Sequence, residues 1–549
     1  MNRAVKNLMA KRRIRVIARA VTCTLMLALA SCQIPQIRQA EQGAGLPGGY
    51  NAATGWENST PLAAVIGIPA VSSMTRGPTR PETSAQLGID EFYTDPILQD
   101  LLHQALANNR ELLALNEEVQ IARNEVLARS GAYLPFAFLR GSAGLERASQ
   151  FTPEGAAERD LEFLPGKHFP DPMGNFMFGL NFFWQLDIWR ELRNARDAAK
   201  QRYVAAAERR NFFVTRLVAE VAENYYSLLA LDNRLLNLNT VISFQEQSLV
   251  TAELLYAAGR ANILGVQRFQ AEVRRNQSER TIIAQEIIET ENRINFRINR
   301  LPQPVERASA DFFDLNIHAL DLGLPAQLLL NRPDIRQAER ELQAAGLDVK
   351  VARARFFPRL DIMGGIGYQA FNPRYLFYTP ESMAANLAGE LVAPIANRRA
   401  IQADYRSANA RQLESIYNYQ RIILNAYTEV INRMSMVENY RRSIEIKKLQ
   451  LSSLVTAVET ASKLFQNARA EYLDVLFSQR DLLDARMVLI ETKRQQLAAI
   501  VNTYQALGGG DPWLMSNHAP PPEPVGTGIG GRSKWMNYCR KIIGFSYLP

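Results

Sequence analysis

The residue types that most often carry enzyme chemistry are thinly spread in this chain of 549 residues. Its four histidines, His103, His168, His318 and His518, stand far apart, and none belongs to an H-E-x-x-H pair that would hold zinc from one helix face. No P-loop, G-x-S-x-G or dinucleotide fingerprint is present, and the glycine clusters Gly364-Gly365 and Gly508-Gly509-Gly510 do not fit a phosphate cradle. Asp361 and Glu390 are carboxylates of the kind that share acid/base work, but both fall in short alternating segments, where pore-facing or surface carboxylates are the simpler reading. The expectation is a protein that is not an enzyme and has no cofactor or metal.

Cys32 offers chemistry of another kind. A basic segment, residues 1–19, precedes an apolar run, Ala20–Ala30, and then Ser31-Cys32. At 1.5 Å per residue this run covers only about half of a ~30 Å hydrocarbon core, so residues 1–31 read as a signal peptide rather than a spanning helix. Leu29-Ala30-Ser31-Cys32 resembles the bacterial lipobox, in which the peptidase cuts before a Cys already acylated. Gln33, where Asp would favour the inner membrane, points to the outer one. Only Cys539 would then remain beside the lipidated Cys32, so no disulfide framework is available. Lys and Arg exceed Asp and Glu by 63 to 55, but seven of those cations precede the apolar run. The mature chain is close to neutral, and no nucleic-acid partner is expected.

The elements that must position any site are long helices. No proline falls between Pro172 and Pro302 or between Pro394 and Pro512, and glycine is nearly absent from both stretches. Leu217, Val221, Tyr225, Leu228, Leu231 and Leu235 return every three or four residues. Each stretch predicts two antiparallel helices with one break, the first at Tyr256–Val266. A helix from Arg190 to Leu255 would run about 100 Å and needs neighbours along its side. Tyr256–Ala271 lays over Phe465–Arg480, and Tyr133-Leu134-Pro135 over Phe356-Phe357-Pro358, so the second half reads as a repeat of the first.

Four period-two segments lie outside these stretches or at their edges: Phe136–Leu145, Phe176–Gln185, Leu360–Gln369 and Leu387–Ala393. A half-wetted soluble sheet explains them as well as lipid contact does. Four strands cannot close a barrel alone, so a membrane reading requires copies that share one.

Ordered motifs join these features. They are Phe92-Tyr-Thr-Asp-Pro96, Asn331-Arg-Pro-Asp-Ile335, Ala352-Arg-Ala-Arg-Phe-Phe-Pro358, Ala426-Tyr-Thr-Glu-Val430, Tyr472-Leu-Asp-Val-Leu476 and Ala506-Leu-Gly-Gly-Gly510. With them the chain resembles, over residues 91–513, the trimeric outer-membrane channel family of bacterial efflux and export systems, in the lipoprotein branch serving proton-driven multidrug pumps. The resemblance implies a membrane fold of helices plus strands. Three chains would share a 12-stranded outer-membrane β-barrel, four strands each, continuous with a long periplasmic α-helical barrel and carrying an internal two-fold repeat.

Implied partners are two further copies in a homotrimer, outer-membrane lipid, a periplasmic membrane-fusion adaptor and an inner-membrane proton-driven pump. The implied domains are a signal peptide (1–31), a lipid anchor and extended linker (32–90), two structural repeats (91–301 and 302–513) and a C-terminal tail (514–549). The helix breaks would form the periplasmic tip where the adaptor docks, at Gly259, Arg260, Ala468, Arg469 and Asp474; the side chains of Arg260 and Arg469 would reach backbone carbonyls or the adaptor. Asp474 also reads as a cap of the helix that follows, and Arg332-Pro333-Asp334 as a helix start. Glu146–Asn175 and Ala370–Asn386 would be loops outside the cell. The family's glycines are missing after Leu186-Asp187-Ile188-Trp189 and after Pro394-Ile395, where Arg190 and Asn397-Arg398 stand, so both strand-to-helix turns must be made without glycine. Coupling to a secretion ATPase or metal pump, and a non-conducting periplasmic coiled-coil scaffold, are the alternatives.

Overall fold

Helices fill the stretches from which proline is missing. The computed structural model describes residues 34–41, 84–260, 262–307, 312–313, 315, 317, 327–466 and 469–511. Cys32, Ala468, the signal peptide and the tail from residue 514 lie outside the described residues. The helices are α1 (Ile89–Phe92), α2 (Pro96–Asn108), α3 (Arg110–Ala132), α4 (Pro153–Asp160), α5 (Glu191–Ala257), α6 (Ile263–Arg297), α7 (Leu328–Asn331), α8 (Pro333–Ala354), α9 (Arg399–Gln466) and α10 (Tyr472–Leu507). The strands are β1 (Phe136–Glu146), β2 (Glu162–Leu164), β3 (Lys167–His168), β4 (Met173–Leu186), β5 (Arg359–Ala370) and β6 (Met383–Val392). Lengths match across the two halves: α5 has 67 residues and α9 has 68, α6 has 35 and α10 has 36, α3 has 23 and α8 has 22.

The described residues fall into two compact units. The helical unit, residues 84–120, 204–339 and 418–511, holds the larger core. The expected apolar series is buried in it from Leu217 to Leu231, with Leu235 packed at its margin. Phe92 stacks on Tyr504 with centroids 3.9 Å apart, and Tyr225 Oη donates to Asp95 at 2.5 Å. Asp95 also caps α2 by accepting from the Ile97 N–H at 2.9 Å. A second cluster joins Ala426, Val430 and Met434 to Ile335 and Leu507. Ser84–Asp90 precedes the expected start at residue 91 but already belongs to this unit, with Ala85 and Ile89 buried.

The sheet unit, residues 34–41, 121–203 and 340–417, contains an antiparallel sheet in the order β1-β4-β5-β6. All four expected strands are present, with shifted ends. β4 starts three positions early, at Met173. β6 runs Met383–Val392 instead of Leu387–Ala393, because Ala384-Ala385 hides the alternation that pairing with β5 imposes. The expected outer loops carry structure of their own: α4 and the β2–β3 hairpin in one, and a 3₁₀ turn, Pro373–Tyr375, in the other. The rings of Phe163, Phe169, Phe371 and Tyr375 pack together there. Residues 34–41 are held rather than loose, since Asn409 exchanges two hydrogen bonds with the Arg38 backbone, at 3.1 and 3.2 Å.

Candidate functional site

Register sorts the sheet's side chains into two unlike faces. Leu139 pairs with Leu180, Leu180 with Ile366, and Ile366 with Ala385; Gly141, Phe178, Tyr368 and Met383 form the neighbouring row. Since residues opposite one another share a face, Ala137, Leu145, Phe176, Phe182, Trp184, Ile362, Leu387 and Leu391 join this side, which carries no charged residue. The other face holds the charged and amide residues, Arg140, Asn175, Asn181, Gln185, Asp361, Gln369, Asn386 and Glu390, together with Phe136, Phe138, Met177, Phe183 and Met363. It is also where Gly179 and Gly367 meet: a Cβ on Gly367 would lie 2.4 Å from the Gly179 Cα, so neither position accepts a side chain without the strands parting.

The apolar face is uncovered. Leu145 and Leu387 are 73% and 75% exposed, and no strand residue belongs to any of the core clusters. β1 and β6 are exposed along their whole length and end the sheet on each side. An apolar surface of this extent beside open strand edges is a candidate contact surface. No helix among the described residues is long and apolar enough to cross a membrane. On the polar face Asp361 is buried and pairs with Arg359 at 2.8 Å. Among the described residues no group of three or more His, Cys, Asp or Glu is placed to hold a metal ion.

The helix turns have their own geometry. Gly259 takes φ 69, a conformation that L side chains rarely adopt. Its N–H bonds the Tyr256 carbonyl at 2.9 Å, and the Arg260 N–H bonds that of Leu255 at 2.8 Å, which closes α5 as a Schellman motif. The second turn repeats the long bond, from the Arg469 N–H to the Leu464 carbonyl at 2.8 Å. The expectation for the Arg260 and Arg469 side chains is a backbone carbonyl or the adaptor, and among the described residues neither reaches a carbonyl. Their backbone N–H groups close the helices, because a chain in this turn aims its amides back along the axis. Both side chains are exposed, with no hydrogen bond or ion pair to any described residue. Asn262 caps α6 by accepting from the Leu264 N–H at 3.2 Å, and Asp474 accepts from the Glu471 N–H at 3.1 Å at the start of α10. Gly259 and Arg260 thus share one turn, Arg469 and Asp474 the other, and no hydrogen bond or ion pair among the described residues joins the two.

Sequence reasoning missed the polar contacts beside these turns. A groove of about 580 Å³ is lined by Ser248 of α5, Lys463 of α9 and Gln479 of α10, among others. Gln479 donates to Ser248 Oγ at 3.2 Å and Asn276 to Gln245 Oε1 at 2.8 Å, while Gln479 Oε1 and Gln245 Nε2 are buried without a partner. The available signal was amide side chains at helix positions facing the core. Also missed were two buried arginines that tie α8 to its surroundings. Arg332 pairs with Asp334 at 2.8 Å, with Glu429 at 2.9 Å and with the Ala506 carbonyl at 2.8 Å. Arg336 pairs with Glu208 at 2.7 Å and with Asp511. Burial opposes the Arg332 charge, but Asp334 and Glu429 outweigh it and raise its pKa above the ordinary guanidinium value.

A sheet apolar across one whole side and open at both edges, in one chain with hairpins of very long helices, defines a membrane-channel protein. Residues 101–298 and 324–509 match the family described as "Outer membrane efflux protein". The chain belongs to that family, whose members are the outer-membrane channel components of tripartite efflux systems. It is 27% identical over 419 residues to the cation efflux system protein CusC of Escherichia coli O6:H1, covering 76% of this chain and 87% of that protein. It is 28% identical over 437 residues to the solvent efflux pump outer membrane protein SrpC of Pseudomonas putida, covering 78% and 88%. In fold it is similar to the open state of the MtrE channel of Neisseria gonorrhoeae, with a TM-score of 0.72 and 22% identity over 86% of this chain and 98% of that one.

Proposed function

We propose that three copies of this chain close a twelve-stranded barrel in the outer membrane and a helical duct in the periplasm, through which small solutes leave the cell without a covalent step. The observation that carries this reading is the uncovered apolar sheet face flanked by exposed edge strands: four strands leave two open edges, and copies pairing β1 with β6 would satisfy both. Matched helix lengths in the two halves, and the same long hydrogen bond at both helix turns, support an internal two-fold repeat spanning residues 91–301 and 302–513. Cys32 carries the lipid anchor in this reading, after removal of residues 1–31, and 32–90 and 514–549 are the linker and tail. A periplasmic adaptor meets the turns at Gly259, Arg260, Ala468, Arg469 and Asp474, and the pump behind it supplies the energy. The guanidinium groups of Arg260 and Arg469, exposed and without a partner among the described residues, suit a charged partner. The relatives are named for cations and solvents, and the cargo here belongs to the same broad range of small solutes.

The test compares neighbouring residues on opposite faces of β4. Leu180→Arg places a charge against lipid, a change that costs about 2–4 kcal/mol at the midplane of a barrel, and should abolish trimer assembly. Asn181→Arg lies on the polar side and should leave the trimer intact while altering single-channel conductance in planar bilayers. Equal tolerance of both substitutions, or a non-conducting wild type, overturns the channel reading in favour of a scaffold. Crosslinking of Arg260→Cys to an adaptor in the native envelope tests the turn separately.

A further inference from the structure

Arg190 is strained for no internal gain. Its φ of 60 puts the Cβ close to the next carbonyl, which is why glycine is favoured at such a position. The turn uses only its backbone: the N–H reaches the Asp187 carbonyl at 3.4 Å and its own carbonyl accepts from Asn194 at 2.9 Å. The guanidinium is exposed and makes no hydrogen bond or ion pair with any described residue. Several neighbouring arginines are engaged: Arg193 with Asp187, Arg196 with Asp197, and Arg355 with Glu191 and Asp404. Strain that persists without an internal return points to a use outside the chain.

The residues before it are as unusual. Ile188 is 54% and Trp189 43% exposed. Trp189 is nevertheless fixed, stacked on Phe357 with centroids 4.6 Å apart and donating from Nε1 to the Pro358 carbonyl at 2.8 Å. The second strand-to-helix turn shares two of these features, an exposed apolar residue and an exposed arginine, though its left-handed residue is asparagine. Ile395 is exposed, Asn397 takes φ 50, and Arg399 is exposed with no partner among the described residues. Leu186 and Leu391 both pair with Leu360, so β4 and β6 reach the same level where the two turns begin. At this end of the sheet an exposed apolar residue is followed twice by a cation without a partner among the described residues, beside the apolar face.

We propose that these two turns bind the phosphate of an anionic glycerophospholipid in the leaflet adjoining this end of the sheet. The inference rests on the reading that the sheet spans a membrane. Arg190 and Arg399 are the phosphate ligands, while Ile188, Trp189 and Ile395 lie at headgroup depth. Tryptophan with its N–H satisfied suits that depth, and a guanidinium fork matches phosphate oxygens. A free inorganic phosphate would not use the apolar residues.

The test uses the full-length trimer with the double variant Arg190→Gly, Arg399→Gln. Glycine relieves the strain, so the variant should fold at least as well in neutral detergent. Wild type reconstituted into vesicles should retain phosphatidylglycerol over phosphatidylcholine in native mass spectra, by about fivefold for each arginine at moderate salt. The variant should retain the two lipids equally. The same preference in both proteins overturns the site, and so does inorganic phosphate at millimolar concentration displacing the lipid from wild type. Should neither protein float with vesicles of any composition, the membrane reading falls and the lipid site with it; flotation of both without a lipid preference removes only the site.

Discussion

The two halves of the chain meet the same backbone demands with different residues. At the strand-to-helix turn both enter the left-handed region, with Arg190 in the first half and Asn397 in the second. Asn adopts this conformation at small cost because its short side chain bonds locally, whereas Arg has no such compensation. At the helix turns the first half uses Gly259 and an Asn262 cap, and the second closes with the same long hydrogen bond and has Asp474, at the third helical position, accept from the N–H of the N-cap residue Glu471. Backbone geometry is the quantity the halves share, and side chains are free to differ wherever another route reaches it.

The largest effect comes from breaking both halves at matching places. Val221 and Val430 are each fully buried inside the long helices α5 and α9. Proline at either removes a helical hydrogen bond and clashes with the preceding turn, at about 3 kcal/mol or more. Trimer yield should fall steeply in both variants, and loss in only one would mean that one long helix is dispensable.

Gly259→Val comes next. Nothing lies within 4 Å of the added Cβ, so the cost is the backbone's alone, about 1–2 kcal/mol for a β-branched residue at positive φ. Faster hydrogen exchange at the end of α5, with α9 unchanged, is the expected result. Arg190→Gly should stabilise by about 1 kcal/mol and Asn397→Gly by only about a few tenths. Equal shifts in melting temperature would remove the contrast between the two turns.

The smallest effect is one of pH. Side-chain hydrogen bonds from Arg441 and Arg442 outweigh burial and hold the Glu438 carboxyl below the ordinary range; at Glu491 burial is overcome by Arg494. A carboxylate with a lowered folded pKa adds stability above the ordinary value, and that stability is lost as pH falls through the folded one. Both groups lie in the second half, so α9 and α10 should lose exchange protection before α5 and α6 as pH is taken from 5 to 3. The reverse order would count against this difference.

Much of this was legible in the chain. Missing prolines and glycines mark helices because either residue inside them is costly, and the Gly259 break is readable for the same reason. Period-two runs mark strands wherever both faces differ, so the start of β6, where Ala384-Ala385 follow Met383, carries no readable alternation. Arg332 was read only as part of a helix start, since its partners Glu429 and Ala506 are remote in sequence. Arg336 escaped altogether, because Glu208 and Asp511 are equally distant.

By itself, then, the order of residues determined the long helices, the four long strands and where each long helix turns, because these follow from local torsional preference and periodicity. Only the tertiary structure decided that one side of the four long strands is uncharged and uncovered while Phe136, Phe138 and Phe183 fall on the other, since alternation within one strand is silent about the register of the next. It also decided that Arg190 bears a left-handed backbone, which depends on how β4 must hand the chain to α5.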